Sequence, residues 1–431
     1  MVRLFGYFCC ALFLLITSLS CDSSEPPPTV PPPDIIKDTI TVSIEGFTHR
    51  SVTFRIQSTV HSPQSSIKVL RSFNSTETII AEFPLEVADT TITDDDNGIG
   101  LMLDTTYTYF AVRIDSLGEE TDTSNIVTQK TLAPTSHDYT WQEYTFGDPG
   151  YPNTLYDVWG TDENNVWVCG GVKMNDTVYG IIKWDGIEWK PEKKIGGLQA
   201  IYGFSETDIW AIGGGVWYYD GGEWISLTEQ NEVFNFNGPY TSLWGTSSSD
   251  MYLGNTWGKI IHWDGVKAEV VSDISIEPLN DMEGLSSDFI MAVGTDFTPP
   301  ATTLYFNGTQ WSEYPFVNND YSLNSVTVLN SYEIYWAGEK IVKTTRQEFS
   351  ESYNPGYYVW DIEYNHQSGE VVASGAFDGV YIYNGLEWKS LQGVVSQDET
   401  TYTGIFLINE TIFCAGSNDS RAKIIIGKTT K

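Results

Sequence analysis

The chain of 431 residues carries 57 Asp and Glu against 23 Lys and Arg, a formal net charge of −34. A surface that negative repels phosphate backbones and anionic lipid headgroups, which excludes DNA and RNA as partners. Aromatic residues reach 14% of the chain, and most of them recur at fixed places in a repeat described below.

Residues 1–20 begin with Arg3, continue through an apolar stretch from Leu4 to Ile16 and end in small residues. That pattern predicts a cleaved export signal rather than a membrane-spanning helix. Ser18-Leu19-Ser20-Cys21 resembles the bacterial lipobox, with Ser where Leu is usual three residues before the cysteine. The resemblance implies that Cys21 becomes a lipidated N-terminus, held in the bacterial outer membrane and facing the cell surface. Removing the signal takes away Arg3 and no acid. Residues 21–36 follow as an anchor and spacer, with Pro26-Pro27-Pro28 and Pro31-Pro32-Pro33 favouring a stiff extended chain. Acidic residues just after Cys21 resemble the surface-export signal of some lipoproteins.

Residues 37–133 predict a β-sandwich. Alternation is clear in Ile40–Ile44 and in Val52–Ile56, as half-buried antiparallel strands require. The run Leu101 to Arg113 resembles the tyrosine corner of fibronectin type III domains, with Leu103 where that family has proline. By that resemblance, Tyr107 should bond back to the backbone at the sheet corner. The acidic run Thr93 to Gly98 fails calcium-loop spacing and is expected to be a turn. A spacer or presenter is the role expected of such a domain.

Residues 138–431 repeat one phrase seven times, starting near Leu155, Leu198, Tyr240, Leu279, Leu323, Val359 and Tyr402, at spacings of 36 to 44 residues. Such a period marks units that cannot bury their apolar faces alone. The first copy holds four β runs: one ending at Gly160, Val166–Cys169, Ile181–Trp184, and one through Trp189. The dipeptides Asp185-Gly186, Asp220-Gly221, Asp264-Gly265, Asn307-Gly308 and Asn384-Gly385 predict two-residue hairpins with both residues at positive φ. Four antiparallel strands per repeat predict the blades of a β-propeller. The last copy lacks its fourth strand, and Tyr139–Tyr144 mirrors the missing segment, so an N-terminal strand should close the ring. Seven blades fit best, while the degraded fifth copy leaves six or eight open.

The phrase carried by Trp159, Gly160 and Trp167, and again by Trp244, Gly245 and Tyr252, resembles bacterial secreted propellers of "WGTxxxDVWxxG…WDGxxW" type. That likeness implies the fold and little about function. Along the inner strands, one position is always aliphatic (Val158, Ile201, Leu243, Met282, Val326, Ile362, Ile405) and belongs in the packing between blades. The position before it is small or acidic, with Asp157, Asp281 and Asp361 as candidate channel carboxylates. Two explanations compete for them: a ring holding a hard cation such as Ca²⁺, or carboxylates that cap neighbouring strand ends or face channel water. The position after the aliphatic one carries Trp159, Tyr202 and Trp244 in three successive copies, a candidate patch for sugar stacking or peptide contact.

No catalytic constellation stands out. The propeller has only Arg346 and Arg421 where a sialidase-like site needs three arginines, and only His262 and His366 where a copper or lyase centre needs clustered histidines. The expected function is therefore a non-catalytic, surface-anchored binding platform for protein or glycan. The alternative is a glycan-active enzyme using channel carboxylates. Recognition loops are expected at Thr228 to Gly238 and Asp296 to Thr302. Cys169 and Cys414 fall in adjacent blades once the ring closes, but differ by one residue relative to the following glycine. Their side chains should face opposite ways and remain free thiols. Mass spectrometry of the native N-terminus is expected to show an acylated Cys21; a chain starting at Asp22 or later would refute the anchor.

Overall fold

A computed structural model of the chain describes residues 39–59, 65–84, 89–275, 277–295, 301–315, 321–345, 349–393, 398–419 and 421–430. The signal, Cys21, the proline-rich spacer and most of the loop from Asp296 lie outside them. Described residues form an all-β molecule: a sandwich followed by a seven-bladed propeller. Among them, no helix is long and apolar enough to cross a membrane.

The sandwich is built from β1 (Ile40–Phe47), β2 (Val52–Ser58), β3 (Ser66–Phe73), β4 (Thr76–Pro84), β5 (Asp89–Asp94), β6 (Thr106–Ile114), β7 (Glu120–Thr123) and β8 (Val127–Lys130). One sheet runs β1-β2-β5; the other runs β4-β3-β6-β7, with β8 also on β6. Alternate residues point inward, so Val52, Phe54 and Ile56 meet Ile67, Val69, Tyr109 and Ala111 in one core. The Tyr107 hydroxyl accepts a 3.0 Å hydrogen bond from the Met102 N–H, the corner contact anticipated from the sequence. Asp94, at the start of the acidic run, is buried against Arg71 at 3.0 Å and accepts from the Tyr109 hydroxyl at 3.0 Å. The run is a turn pinned by Arg71.

Each blade is a four-stranded antiparallel sheet, and the degraded fifth copy is no exception, its fourth strand running Phe349–Tyr353. The seventh takes its outermost strand from the N-terminal side. That strand, β9 (Tyr139–Phe146), pairs with Arg421–Thr429, setting Trp141 opposite Gly427. Lys423, nearly buried, reaches Glu143 on β9 and Asp398 at 2.8 Å. Closure removes the two sheet edges that an open ring would leave for aggregation. Between blades the aliphatic position is buried in all seven copies, from Val326 and Ile405 at 1% exposed to Leu243 at 6%. Cys169 packs toward the second blade and Cys414 toward the sixth; both are free and buried.

The hairpins differ from expectation. Between Trp184 and its partner Trp189 lie four loop residues, and only Gly186 has positive φ (87°). The Asp185 carboxylate accepts the N–H groups of Ile187 and Glu188 at 3.0 and 2.9 Å. Asp220, Asp264, Asn307 and Asn384 cap their own loops the same way. The Asp/Asn-Gly signal thus encodes a side-chain-capped loop, not a two-residue turn.

The sandwich is not a free spacer. His49 sits so close to Gly369 and Gly385 that a methyl on either glycine would overlap its ring. Ser51 donates a 2.6 Å hydrogen bond to Glu333 of the fifth blade, which also receives Asn330 Nδ2 at 3.1 Å and pairs with Lys343. Burial pushes the Glu333 carboxyl up, but the Lys343 ammonium and these donors outweigh it and hold the group below its ordinary value. Thr135 and Asn384 exchange two hydrogen bonds at the linker.

Because ring closure depends on β9, Trp141→Ala should lower stability by about 2–4 kcal/mol, as loss of a large partly buried ring does. Denaturant unfolding measures it; an unchanged midpoint would contradict closure by this strand.

Candidate functional site

The site grows from an irregularity repeated seven times. Near the start of every inner strand the register to the second strand slips by one residue, between Leu155 and Asp157 in the first blade and at the same place in the other six. Such a bulge breaks the alternation. Two consecutive side chains then face the central channel: Tyr156 and Asp157, Asn280 and Asp281, Trp360 and Asp361. Two positions later the chain faces the channel again, at Trp159, Tyr202, Trp244, Glu283, Glu363 and Phe406. The aspartates form a waist lining both cavities. One mouth, about 320 Å³, opens beside Tyr156, Asn280, Asn324 and Trp360; the opposite mouth, about 550 Å³, is lined by aromatic, acidic and aliphatic residues.

Each inner strand is an edge strand, so its N–H and C=O groups toward the axis lack ladder partners. The aspartates supply them. Asp157 accepts the N–H of Val158 in its own strand (2.7 Å) and that of Ile201 in the next blade (2.8 Å). Asp281 accepts Met282 N–H (2.7 Å) and, across the junction, Val326 N–H (2.9 Å). Asp361 accepts Ile362 N–H (2.8 Å) and Ile405 N–H (2.8 Å). Where aspartate is missing, other side chains bridge. Ser242 donates to Leu279 O (2.8 Å), Asn324 to Trp360 O (2.7 Å) and Thr403 to Leu155 O (2.7 Å). Gly404 completes the ring because a Cβ there would lie 2.7 Å from the Asp157 Cα.

All six oxygens of the three aspartates are therefore committed to backbone donors. Among the described residues no group of three or more His, Cys, Asp or Glu side chains is placed to hold a metal ion. The geometry gives the capping explanation its full complement of bonds and lends the Ca²⁺ expectation no separate support. Ser325 Oγ lies 2.6 Å from Asp281 and 3.0 Å from Asp361 while accepting the Ile362 N–H at 3.2 Å. One hydroxyl proton cannot serve two carboxylates. Burial and the neighbouring negative charge raise Asp361, and burial raises Asp281, so a shared proton between them satisfies the arrangement.

Trp159, Tyr202 and Trp244 lie in a row around the acidic mouth. Trp159 packs against Gly203 of the second blade and Trp244 against Gly284 of the fourth, while the Tyr202 hydroxyl donates to Gly245 O at 3.3 Å. Each ring thus joins neighbouring blades and also lines the cavity. Glu283 and Glu363 share the mouth with them, and they are the site residues that composition and spacing did not single out. Their signal was present: Asp281-Met282-Glu283 and Asp361-Ile362-Glu363 repeat one Asp-x-Glu phrase at one register. Glu283 accepts the Val328 N–H at 3.1 Å. Its depth in the channel, with Asp281 and Asp361 nearby, pushes it up to about 8. Burial and the surrounding carboxylates raise Glu363 well above its usual value, and among the described residues it accepts no hydrogen bond.

His262 and His366 stay apart. His262 stacks on Tyr252 and contacts Asp250 at 2.8 Å, while His366 stands at the rim of the acidic mouth. The loop Thr228 to Gly238 carries the one helix of the described residues, α1 (Glu232–Phe236), capped by Asn231.

Neither a protein-family model nor a curated protein matches the chain. Among solved structures, the extracellular domain of a hybrid two-component system from B. thetaiotaomicron is similar, at 12% identity and a TM-score of 0.49. The match covers 64% of this chain and 40% of that one, too remote to speak to ligand or activity.

The folded chain keeps a proton on Glu283 that the unfolded chain releases near its ordinary value of 4.5. This contribution to stability is complete below that value and is lost as pH rises through about 8. Melting temperature should therefore fall between pH 5 and pH 8, and Glu283→Gln should flatten part of that fall. Parallel curves for the two proteins would show that Glu283 is not held protonated.

Proposed function

We propose that the chain is an exported, lipid-anchored binding protein of the bacterial cell surface, non-catalytic, whose propeller receives a carbohydrate at the acidic, aromatic-walled mouth of its channel. The observation that carries this is the mouth itself. The half-buried rings of Trp159 and Tyr202 stand beside two carboxyl groups, Glu283 and Glu363, whose remaining hydrogen-bonding capacity faces a cavity of about 550 Å³. Stacking faces beside hydrogen-bonding groups suit a sugar ring, which is apolar on its faces and polar at its edge. A folded protein partner would instead ask for a broad surface, about 800 Å² on each side. Anchoring at Cys21, the absence of a cofactor and the outer-membrane location belong to the same proposal and rest on the sequence features above.

The acids favour binding over hydrolysis. A glycosidase pair needs one carboxylate ionised while the other holds its proton. Here burial raises both Glu283 and Glu363, with Asp281 and Asp361 adding to the first and Asp361 and Glu283 to the second. The three aspartates spend their oxygens on backbone donors. Protonated glutamates can still donate and accept hydrogen bonds, which is what a sugar hydroxyl requires.

Purified mature protein screened against a glycan array, followed by calorimetry, should bind without cleaving. Glu363→Gln and Trp159→Ala should each weaken binding about tenfold, equivalent to about 1.4 kcal/mol. Turnover that vanishes in Glu283→Gln or Glu363→Gln would replace the binding protein with an enzyme.

A further inference from the structure

The sandwich docks on the side of the propeller where the acidic mouth opens. Ser286 at the end of the inner strand of blade four, and Leu329 and His366 just after those of blades five and six, face the sandwich, which stands over them. Between the two lies a cleft of about 1060 Å³, walled by Phe47, Thr91 and Asp89 on one side and by Asp288, Tyr305 and Asn307 on the other. Leu285 and His366 line both this cleft and the channel mouth, so the two cavities meet at those side chains. Leu285 is 39% exposed at the junction, an apolar side chain uncovered where a ligand would pass.

The cleft belongs to a fixed body. The His49 wedge and the buried Ser51–Glu333–Lys343 network hold the sandwich on blades five and six, leaving the gap beside blade four framed on both sides. Its chemistry excludes anions: Arg55 is already engaged by Asp89 through bonds of 2.7 and 2.6 Å, and Glu45, Asp89 and Asp288 make the walls negative. What remains is aromatic surface, Phe47, Phe289 and Tyr305, beside the side-chain amide N–H groups of Asn307, whose oxygen caps its own loop, and the hydroxyl of Thr91, which already donates to Glu45 and can still accept. Its volume slightly exceeds the ~300–1,000 Å³ that encloses a drug-sized ligand, and it adds to the mouth.

Resting on the carbohydrate site proposed above, we infer that this cleft is its continuation: a linear oligosaccharide free of carboxylate and sulfate groups seats one end in the channel mouth, crosses Leu285 and His366, and runs between propeller and sandwich. The sandwich is then half of the binding site and selects for chain length, and the docking contacts exist to hold its wall in place.

Calorimetry on the mature protein with cello-, malto- and chito-oligosaccharides of two and six sugars tests it. The hexamer of the bound series should bind about tenfold more tightly than the dimer. Thr91→Trp on the sandwich wall, and separately Asp288→Trp on the propeller wall, should reduce hexamer affinity to that of the dimer and leave the dimer untouched. Melting curves establish that both variants are folded, and each wall checks the other. Equal affinity for dimer and hexamer in the native protein, or a preference surviving both tryptophans, overturns the continuation alone. If no dimer or hexamer binds, the carbohydrate site fails and the continuation with it.

Discussion

The constraint on which the molecule depends is the unpaired edge of seven inner strands. A propeller hides the outer face of each sheet against its neighbour but leaves seven rows of backbone donors and acceptors pointing at the axis. Side chains from the same strands answer them, and several bonds reach across to the next blade: Asp157 to Ile201, Tyr202 to Gly245, Ser242 to Leu279, Asp281 to Val326, Asn324 to Trp360, Asp361 to Ile405 and Thr403 to Leu155. All seven junctions are spanned. A buried polar group left without its partner costs about 1–3 kcal/mol, so these contacts hold each blade to the next as well as satisfying the edge. They also concentrate carboxylates at the waist, where burial and like charge keep protons on some of them.

Much of the fold was legible in the sequence because its determinants are local and repeated. The Asp/Asn-Gly loops, the aliphatic position and the Trp three residues after glycine each recur often enough to set the register of the repeat, and Tyr139–Tyr144 reads as the strand missing from the last copy. Even so, the hairpin geometry was misjudged. Asp185 acts through its side chain rather than through a left-handed backbone, a distinction that the dipeptide alone does not carry. The tyrosine corner was legible for the opposite reason, being a single contact with a fixed spacing.

The site was less legible. Alternation along a strand cannot reveal a bulge, so Tyr156 and Trp360 looked inward-facing on no simple rule, and the channel position of the aspartates came from their size and charge. Glu283 and Glu363 were visible as departures from the aromatic pattern, yet their significance depends on depth, which needs the closed ring. The placement of the sandwich was out of reach altogether. His49, Ser51 and Glu333 are unremarkable in sequence and become a joint only when residues some 280 positions apart meet, as Ser51 and Glu333 do.

Charge and shape converge on one pole. A chain of net charge −34 would be expected to display its acids to water, but it places Glu283 and Glu363 inside the channel, level with Trp159, Tyr202, Trp244 and Phe406, where ionisation is costly. A crystal structure of the chain with a bound oligosaccharide is the most direct measurement. The account predicts a sugar ring lying against the Trp159 or Tyr202 ring with its hydroxyls on Glu283 and Glu363. Sugar density confined to the mouth beside Tyr156 and Trp360, or to the outer side of a blade, would contradict it.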